Sequence, residues 1–111
     1  MKIAIIGSRN IKVKDLEKYL PISTCEIVSG GAKGVDSCAA EYAQQKGIKL
    51  TVFLPEYKKY GRAAPIKRNN QIIEYADEVV AFWDGISKGT KYVINACKKI
   101  GKKVTVYILK T

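Results

Sequence analysis

The sequence predicts an α/β fold in which a five-stranded parallel sheet, in the order 3-2-1-4-5, lies between two layers of helices. Short apolar runs rich in Val and Ile, typical of strands buried on both faces, alternate with segments of helical periodicity. The connections are short, which favours right-handed crossovers between parallel strands. We expect residues 1–111 to form one domain of three layers.

Five strands and four helices are predicted in alternation. The strands are residues 2–6, 26–29, 49–54, 78–82 and 103–108. The apolar stripes of the helices are Val13, Leu16 and Leu20; Val35, Cys38, Ala39 and Tyr42; Ile66, Ile72 and Ile73; and Val93, Ala96, Cys97 and Ile100. Pro21 ends the first helix, and Gly47 and Gly101 are expected C-caps. Residues 55–63 fit neither pattern, and we expect a mobile flap there.

The charge balance favours anionic partners. The chain carries 20 basic and 10 acidic residues, a net charge of +10. The cations are mostly lysines dispersed along the chain, and arginine occurs only at positions 9, 62 and 68. A solvated basic surface and a nucleic-acid footprint both remain open, and we expect at most weak, sequence-independent nucleic-acid binding.

Several classes of protein are excluded or disfavoured by composition. The chain has no histidine, which excludes His-based acid–base chemistry, and we expect no metal site and no cofactor. The three cysteines have no motif spacing and are interpreted as reduced thiols of a cytoplasmic protein. No apolar run reaches the ~20 residues of a membrane span, and the start of the chain is interpreted as a strand rather than a signal peptide.

In such sheets a ligand binds beyond the carboxyl ends of the strands, where the strand order reverses. That crevice lies between the first and fourth strands, flanked by residues 7–10 and 83–90. Residues 29–34 lie next to it. Neither the P-loop pattern nor G-x-G-x-x-G occurs, which disfavours P-loop NTPases and nicotinamide dehydrogenases.

The segment S-G-G-A-K-G-V-D, residues 29–36, joins the second strand to the second helix. Its paired glycines let the backbone approach an anion at a helix N-terminus, and Lys33 adds charge. The alternative is a tight turn that needs glycine for its geometry alone.

The segment D-G-I-S-K-G-T, residues 84–90, opens the fourth helix. With Ser87 as N-cap, the N–H groups of Gly89 and Thr90 would face the crevice and suit a phosphate. A plain capping motif is the alternative. Trp83 either stacks on a base or packs at the rim.

The third helix carries polar side chains near its apolar stripe. Asn69 either holds a loop backbone or contacts ligand, because a buried amide must be hydrogen-bonded. Arg68 either reaches a phosphate or sits on the rim.

The order of these motifs resembles the SLOG superfamily, which is named for the Smf/DprA DNA-processing proteins and the Lonely-guy phosphoribohydrolases. The motifs are G-S-R at 7–9, S-G-G-A-K-G-V-D at 29–36, Y-G-R-A-A-P-x-x-R-N at 60–69 and A-F-W-D-G-x-S-x-G-T at 81–90. The chain is most similar to the compact YspA/cpYpsA-related branch. The resemblance implies a Rossmann-like fold that binds nucleotides or their derivatives, often as a sensor.

Motifs and resemblance together predict one set of ligand-binding residues. These are Gly7, Ser8, Arg9, Ser29, Gly30, Gly31, Lys33, Gly34, Asp36, Arg68, Asn69, Asp84, Gly85, Ser87, Gly89 and Thr90.

The chain departs from the Lonely-guy hydrolases at one position. Their catalytic glutamate, three residues after the threonine of G-x-G-T, is Val93 here. The sequence therefore favours a nucleotide-binding sensor or minimal effector over an enzyme, with no catalytic residue assigned. The alternatives are a nucleotide hydrolase using Asp36, Asp84 or Glu56, and a single-stranded nucleic-acid binder. We expect a homo-oligomer, most simply a dimer.

Overall fold

Five parallel strands form one sheet in the order β3-β2-β1-β4-β5, which confirms the predicted topology. The computed structural model describes residues 1–31 and 34–109. β1 pairs with β2 on one side and β4 on the other, so the strand order reverses between β1 and β4. The strands are β1 (Lys2–Gly7), β2 (Glu26–Ser29), β3 (Lys49–Val52), β4 (Glu78–Trp83) and β5 (Val104–Ile108).

Helices cover both faces of the sheet, which confirms the three-layer α/β architecture. The helices are α1 (Val35–Lys46), the short α2 (Tyr57–Tyr60), α3 (Ala64–Tyr75) and α4 (Lys88–Ile100). α1 and α4 end at Gly47 and Gly101, whose φ angles of 66° and 74° confirm the predicted glycine C-caps. None of the helices in the described ranges is long and apolar enough to cross a membrane.

Two apolar cores, one on each face, hold the layers together. In β1, Ile3 and Ile5 point toward the core under α1, whereas Ala4 and Ile6 belong to the core under α3 and α4. All four side chains are buried, as the continuous apolar run predicts. Within the α3 stripe the prediction was wrong at Ile66, which is 48% exposed.

The predicted first helix does not form. Residues 13–20 contain only a 3-10 turn, Leu16–Tyr19, which follows Asp15 in the left-handed region at φ 56°. The backbone N–H of Val13 donates to Cys38 Sγ of α1 at 3.4 Å, and Leu16 and Tyr19 pack into the core from the 3-10 turn. The spacing of three apolar residues indicates which face of a helix would be buried. A helix of this length is stable only when tertiary packing holds it, so the spacing alone does not ensure that it forms.

Residues 55–63 are largely helical, so the prediction of an irregular flap was wrong. α2 is followed directly by a 3-10 turn, Gly61–Ala63, and then by α3, which has a proline in its first turn. The segment therefore fixes the start of α3 above the carboxyl end of the sheet.

Candidate functional site

A cavity of about 480 Å³ lies at the carboxyl ends of β1 and β4, where the strand order reverses. Its floor is apolar, formed by Ile6 of β1, Ile72 of α3 and Val93 of α4. Its walls hold eleven of the residues that the sequence predicts for the site: Gly7, Ser8, Arg9, Gly30, Asp36, Arg68, Asn69, Asp84, Ser87, Gly89 and Thr90. The fold thus brings four separate motifs around one volume.

Four predicted residues do not line this cavity. Ser29 is buried, and its hydroxyl accepts a hydrogen bond from the N–H of Gly31 at 3.3 Å. Gly31 lies instead against β3, where an added Cβ would come 3.0 Å from the side chain of Val52. Gly34 and Gly85 are turn residues with φ angles of 74° and 84°. Lys33 lies outside the described residues.

Two of the predicted glycines are required by packing. A Cβ at Gly7 would lie 2.6 Å from the carbonyl oxygen of Phe82 and 2.6 Å from Val35 Cγ2. A Cβ at Gly34 would lie 2.7 Å from the carbonyl carbon of Arg9. These glycines let the β1 loop, β4 and the start of α1 approach closely, and the cavity wall follows from that approach.

Arg68 is held across the β2–α1 loop. Its Nη1 donates to the carbonyl oxygen of Gly30 at 2.8 Å, and its Nε donates to Asn69 Oδ1 at 2.9 Å. A Cβ at Gly30 would lie 2.6 Å from Nη1 and 3.3 Å from Asp36 Oδ2, so only glycine leaves room for the guanidinium. Arg68, rather than Asn69, contacts the loop backbone, Asn69 accepts the Arg68 Nε–H, and both residues line the cavity.

Asp84 organises the loop between β4 and α4. Its Oδ1 accepts the N–H groups of Ile86 at 2.8 Å and Ser87 at 2.7 Å, and its Oδ2 accepts the Ser87 hydroxyl at 2.9 Å. Donation from Ser87 and Ile86 lowers the pKa of Asp84 from 3.8 to about 2. This carboxylate is therefore ionised at neutral pH and is engaged in bracing the loop.

The N-terminus of α4 is directed at the cavity through Gly89 and Thr90. Ser87 is the N-cap residue, as predicted, but its hydroxyl is turned to Asp84 and makes no capping bond. The first N–H groups of a helix have no acceptor within it, and they carry partial positive charge. Trp83 fixes this geometry from the rim, since its Nε1 donates to the Ser87 carbonyl oxygen at 3.0 Å.

The sequence analysis missed several lining residues. Pro65 and Ile72 line the cavity beside Arg68 and Asn69, and the spacing i, i+3, i+4, i+7 would have placed all four on one helical face. Asn10, next to the predicted Arg9, also lines it. Among the described residues, no three acidic or thiol side chains group as metal ligands.

The sequence was compared with models of known protein families. The model of the YspA, cpYpsA-related SLOG family matches residues 1–60, just over half of the chain. The matched part contains β1 with its loop, the β2–α1 loop and α1. No curated protein and no solved structure matches the chain significantly.

Proposed function

Because this chain belongs to the YspA, cpYpsA-related SLOG family, we propose that its cavity binds a nucleotide or nucleotide derivative. The observation that carries the proposal is the convergence of a helix N-terminus and a held arginine above an apolar floor. Phosphate suits the first two features, and a base or ribose suits the third. We assign the protein the role of a sensor or minimal effector that responds to this ligand.

The phosphate subsite lies between α4 and Arg68. The N–H groups of Gly89 and Thr90 supply donors with partial positive charge, and the Thr90 hydroxyl supplies one more. Arg68 uses two of its five N–H donors on Gly30 and Asn69, which leaves donors for a phosphate oxygen. None of the ion pairs among the described residues involves Arg68.

The remaining wall suits the rest of a nucleotide. Ile6, Ile72 and Val93 offer an apolar surface, with Val93 only 3% exposed. Asp36, at the start of α1, lines the cavity beside Gly30 and is placed to accept ribose hydroxyls. Nucleotide sites commonly combine an apolar surface with a few such polar groups.

Two observations at the cavity favour binding over hydrolysis. A general acid or base needs a pKa near the working pH, whereas that of Asp84 is about 2. At the position of the Lonely-guy glutamate, Val93 presents a hydrocarbon side chain to the cavity. We therefore assign Asp84 to loop bracing rather than to proton transfer.

The proposal is tested by removing Arg68 in two ways. Arg68→Ala deletes the guanidinium, and Gly30→Ala places a Cβ where the guanidinium lies. We expect each to weaken binding of the tightest-bound nucleoside 5′-monophosphate, among those with the four common bases, by about tenfold or more, since one charge-assisted hydrogen bond is worth roughly 1.5–3 kcal/mol. Isothermal titration calorimetry measures the affinity.

The double variant and a matched arginine provide the controls. Gly30→Ala combined with Arg68→Ala should bind no more weakly than Arg68→Ala alone, because both changes act on one group. Arg62→Ala removes the same charge from an exposed residue outside the cavity and should leave affinity within about twofold. If Arg62→Ala and Arg68→Ala have equal effects, the cavity does not hold the phosphate.

A further inference from the structure

A second concavity, of about 650 Å³, lies beside the cavity on the other side of the β1 loop. We call it the basic groove; it is lined by Arg9, Asn10, Ile11, Lys12, Val13, Lys14, Tyr19 and Leu109. The first six are consecutive, and they occupy the segment that the sequence wrongly predicted to lead into a helix. The groove therefore follows the non-helical stretch that precedes the 3-10 turn Leu16–Tyr19.

The charge of the groove is of one sign. Among the described residues, Arg9, Lys12 and Lys14 are the charged ones that line the groove; all three are exposed, and none of the lining side chains is acidic. None of the three takes part in an ion pair among residues 1–31 and 34–109. Three such cations with no acidic counterpart favour an anionic ligand.

The groove also has apolar walls. Ile11 is 3% exposed and belongs to the core, while Val13, Tyr19 and Leu109 are half-buried against it. Phosphate groups alone need no apolar wall, whereas a nucleoside does. The combination of cations and apolar surface matches a phosphate joined to a ring.

The walls are held in place by contacts with the rest of the fold. The Tyr19 ring packs edge-on against Phe82 and Tyr107, with centroids 5.1 and 4.7 Å apart. The Leu109 N–H donates to the Trp83 carbonyl oxygen at 2.9 Å. The apolar walls at Tyr19 and Leu109 are thus already in place and need little ordering on binding.

The groove and the cavity share Arg9 and Asn10, which line both. We propose that the natural ligand is a dinucleotide, an inference that rests on the proposed function. One nucleoside and its 5′-phosphate occupy the cavity, the second phosphate of the diphosphate bridge lies against Arg9 and Asn10, and the second nucleoside lies against the apolar walls of the groove. Lys12 and Lys14 then face the bridging phosphates and the second ribose from the open side.

The test compares three probes that share a base. These are the nucleoside 5′-monophosphate, the 5′-triphosphate and the symmetric dinucleoside diphosphate, titrated calorimetrically for each of the four common bases. We expect the dinucleoside diphosphate to bind at least about tenfold tighter than the monophosphate of the best base. Lys12→Gln with Lys14→Gln should remove that gain and leave monophosphate affinity within about twofold.

The matched control is Lys98→Gln with Lys99→Gln, which removes the same charge from exposed residues in the last turn of α4 and should not alter the gain. A dinucleoside diphosphate that binds no tighter than the monophosphate overturns this inference alone. If the triphosphate gains as much affinity over the monophosphate as the dinucleoside diphosphate does, the groove binds phosphates without a second nucleoside. That result also overturns this inference. If no probe binds, the proposed function fails, and this inference fails with it.

Discussion

Charged side chains form ion pairs at the amino end of the sheet, whereas several cations at the carboxyl end form none among the described residues. At the amino end, charged groups bind one another: the Glu26 carboxylate lies 3.7 Å from Lys49 Nζ, and Glu78 lies 3.8 Å from Lys103 Nζ. Glu26 also accepts hydrogen bonds from the hydroxyls of Tyr75 at 2.5 Å and Thr51 at 2.8 Å. The donors at this end are used to stabilise the fold.

At the carboxyl end, several cations have no carboxylate partner among the described residues. Arg9, Lys12, Lys14 and Arg68 take part in no ion pair within the described ranges, and the N-terminus of α4 has no side-chain cap. Asp84 at this end is used on the backbone of its own loop. This comparison supports the proposed ligand site at the carboxyl end of the sheet, and each prediction below separates an effect on stability from an effect on binding.

The largest effect is expected from Gly7→Ala. The added Cβ would lie 2.6 Å from a backbone oxygen of β4, which cannot move without disturbing the sheet. Overpacking of this kind should lower the free energy of unfolding by about 2–3 kcal/mol in urea denaturation. At Gly47 an added Cβ meets no other atom, but the φ of 66° strains any residue with a side chain. Gly47→Ala should therefore lower the free energy of unfolding by about 1–2 kcal/mol. Equal losses would show that Gly7 is not a packing glycine.

A second prediction exchanges one carboxylate at each end of the sheet for its amide. Glu26→Gln should lower the free energy of unfolding by about 1–2 kcal/mol, because Gln keeps the shape but loses the charge-assisted bonds. It should leave mononucleotide affinity within about twofold. Asp84→Asn should instead weaken binding several-fold, since the amide cannot accept every donor that fixes the start of α4.

The pH dependence follows from the same two groups. Hydrogen bonds from Tyr75 and Thr51 lower the pKa of Glu26 below its usual 4.5, and that of Asp84 falls from 3.8 to about 2. A carboxylate whose pKa is lower in the folded than in the unfolded state adds stability at pH values above its unfolded-state pKa. That stability is lost as the pH falls through its folded-state pKa. The stability difference between the parent and Glu26→Gln should therefore shrink below about pH 4, as measured by denaturation. A difference that grows with acid would contradict this.

Much of the fold followed from the sequence because buried parallel strands are continuous apolar runs. Each predicted strand appears with ends shifted by two residues or fewer, and the glycine C-caps are in place. Helix 13–20 failed because a segment this short is helical only where tertiary packing holds it, and here Leu16 and Tyr19 pack into the core from a 3-10 turn. Long-range contacts of this kind have no local signature.

The sequence predicted which loops lie around the candidate site, but not what each residue does there. Parallel topology brings strand ends together, so the loops at Gly7, Gly30 and Ser87 had to meet. Whether a residue faces the ligand or supports the wall depends on distances that spacing does not contain. The packing role of Gly7 and the particular donors that Asp84 accepts within its own loop became visible only from their neighbours.

The smallest effect is expected for nucleic acid, which remains a prediction. Exposed Tyr57, Lys58 and Lys59 on α2 form an aromatic and basic surface, yet the helix has only four residues. Such a surface supports contacts with a few phosphates, so a single-stranded oligonucleotide should bind with a Kd on the order of 100 μM at low salt. Fluorescence anisotropy with labelled oligothymidylate measures this affinity as salt is raised.

Lys58→Gln with Lys59→Gln should flatten that salt dependence. Each phosphate contact contributes about 0.7 to the slope of log affinity against log salt for single strands, so losing two contacts should reduce it by about 1.4. Mononucleotide affinity should stay unchanged, because neither lysine lines the cavity. Tight binding at physiological salt that these substitutions abolish would show that α2, and not the carboxyl end of the sheet, is the principal anion-binding surface.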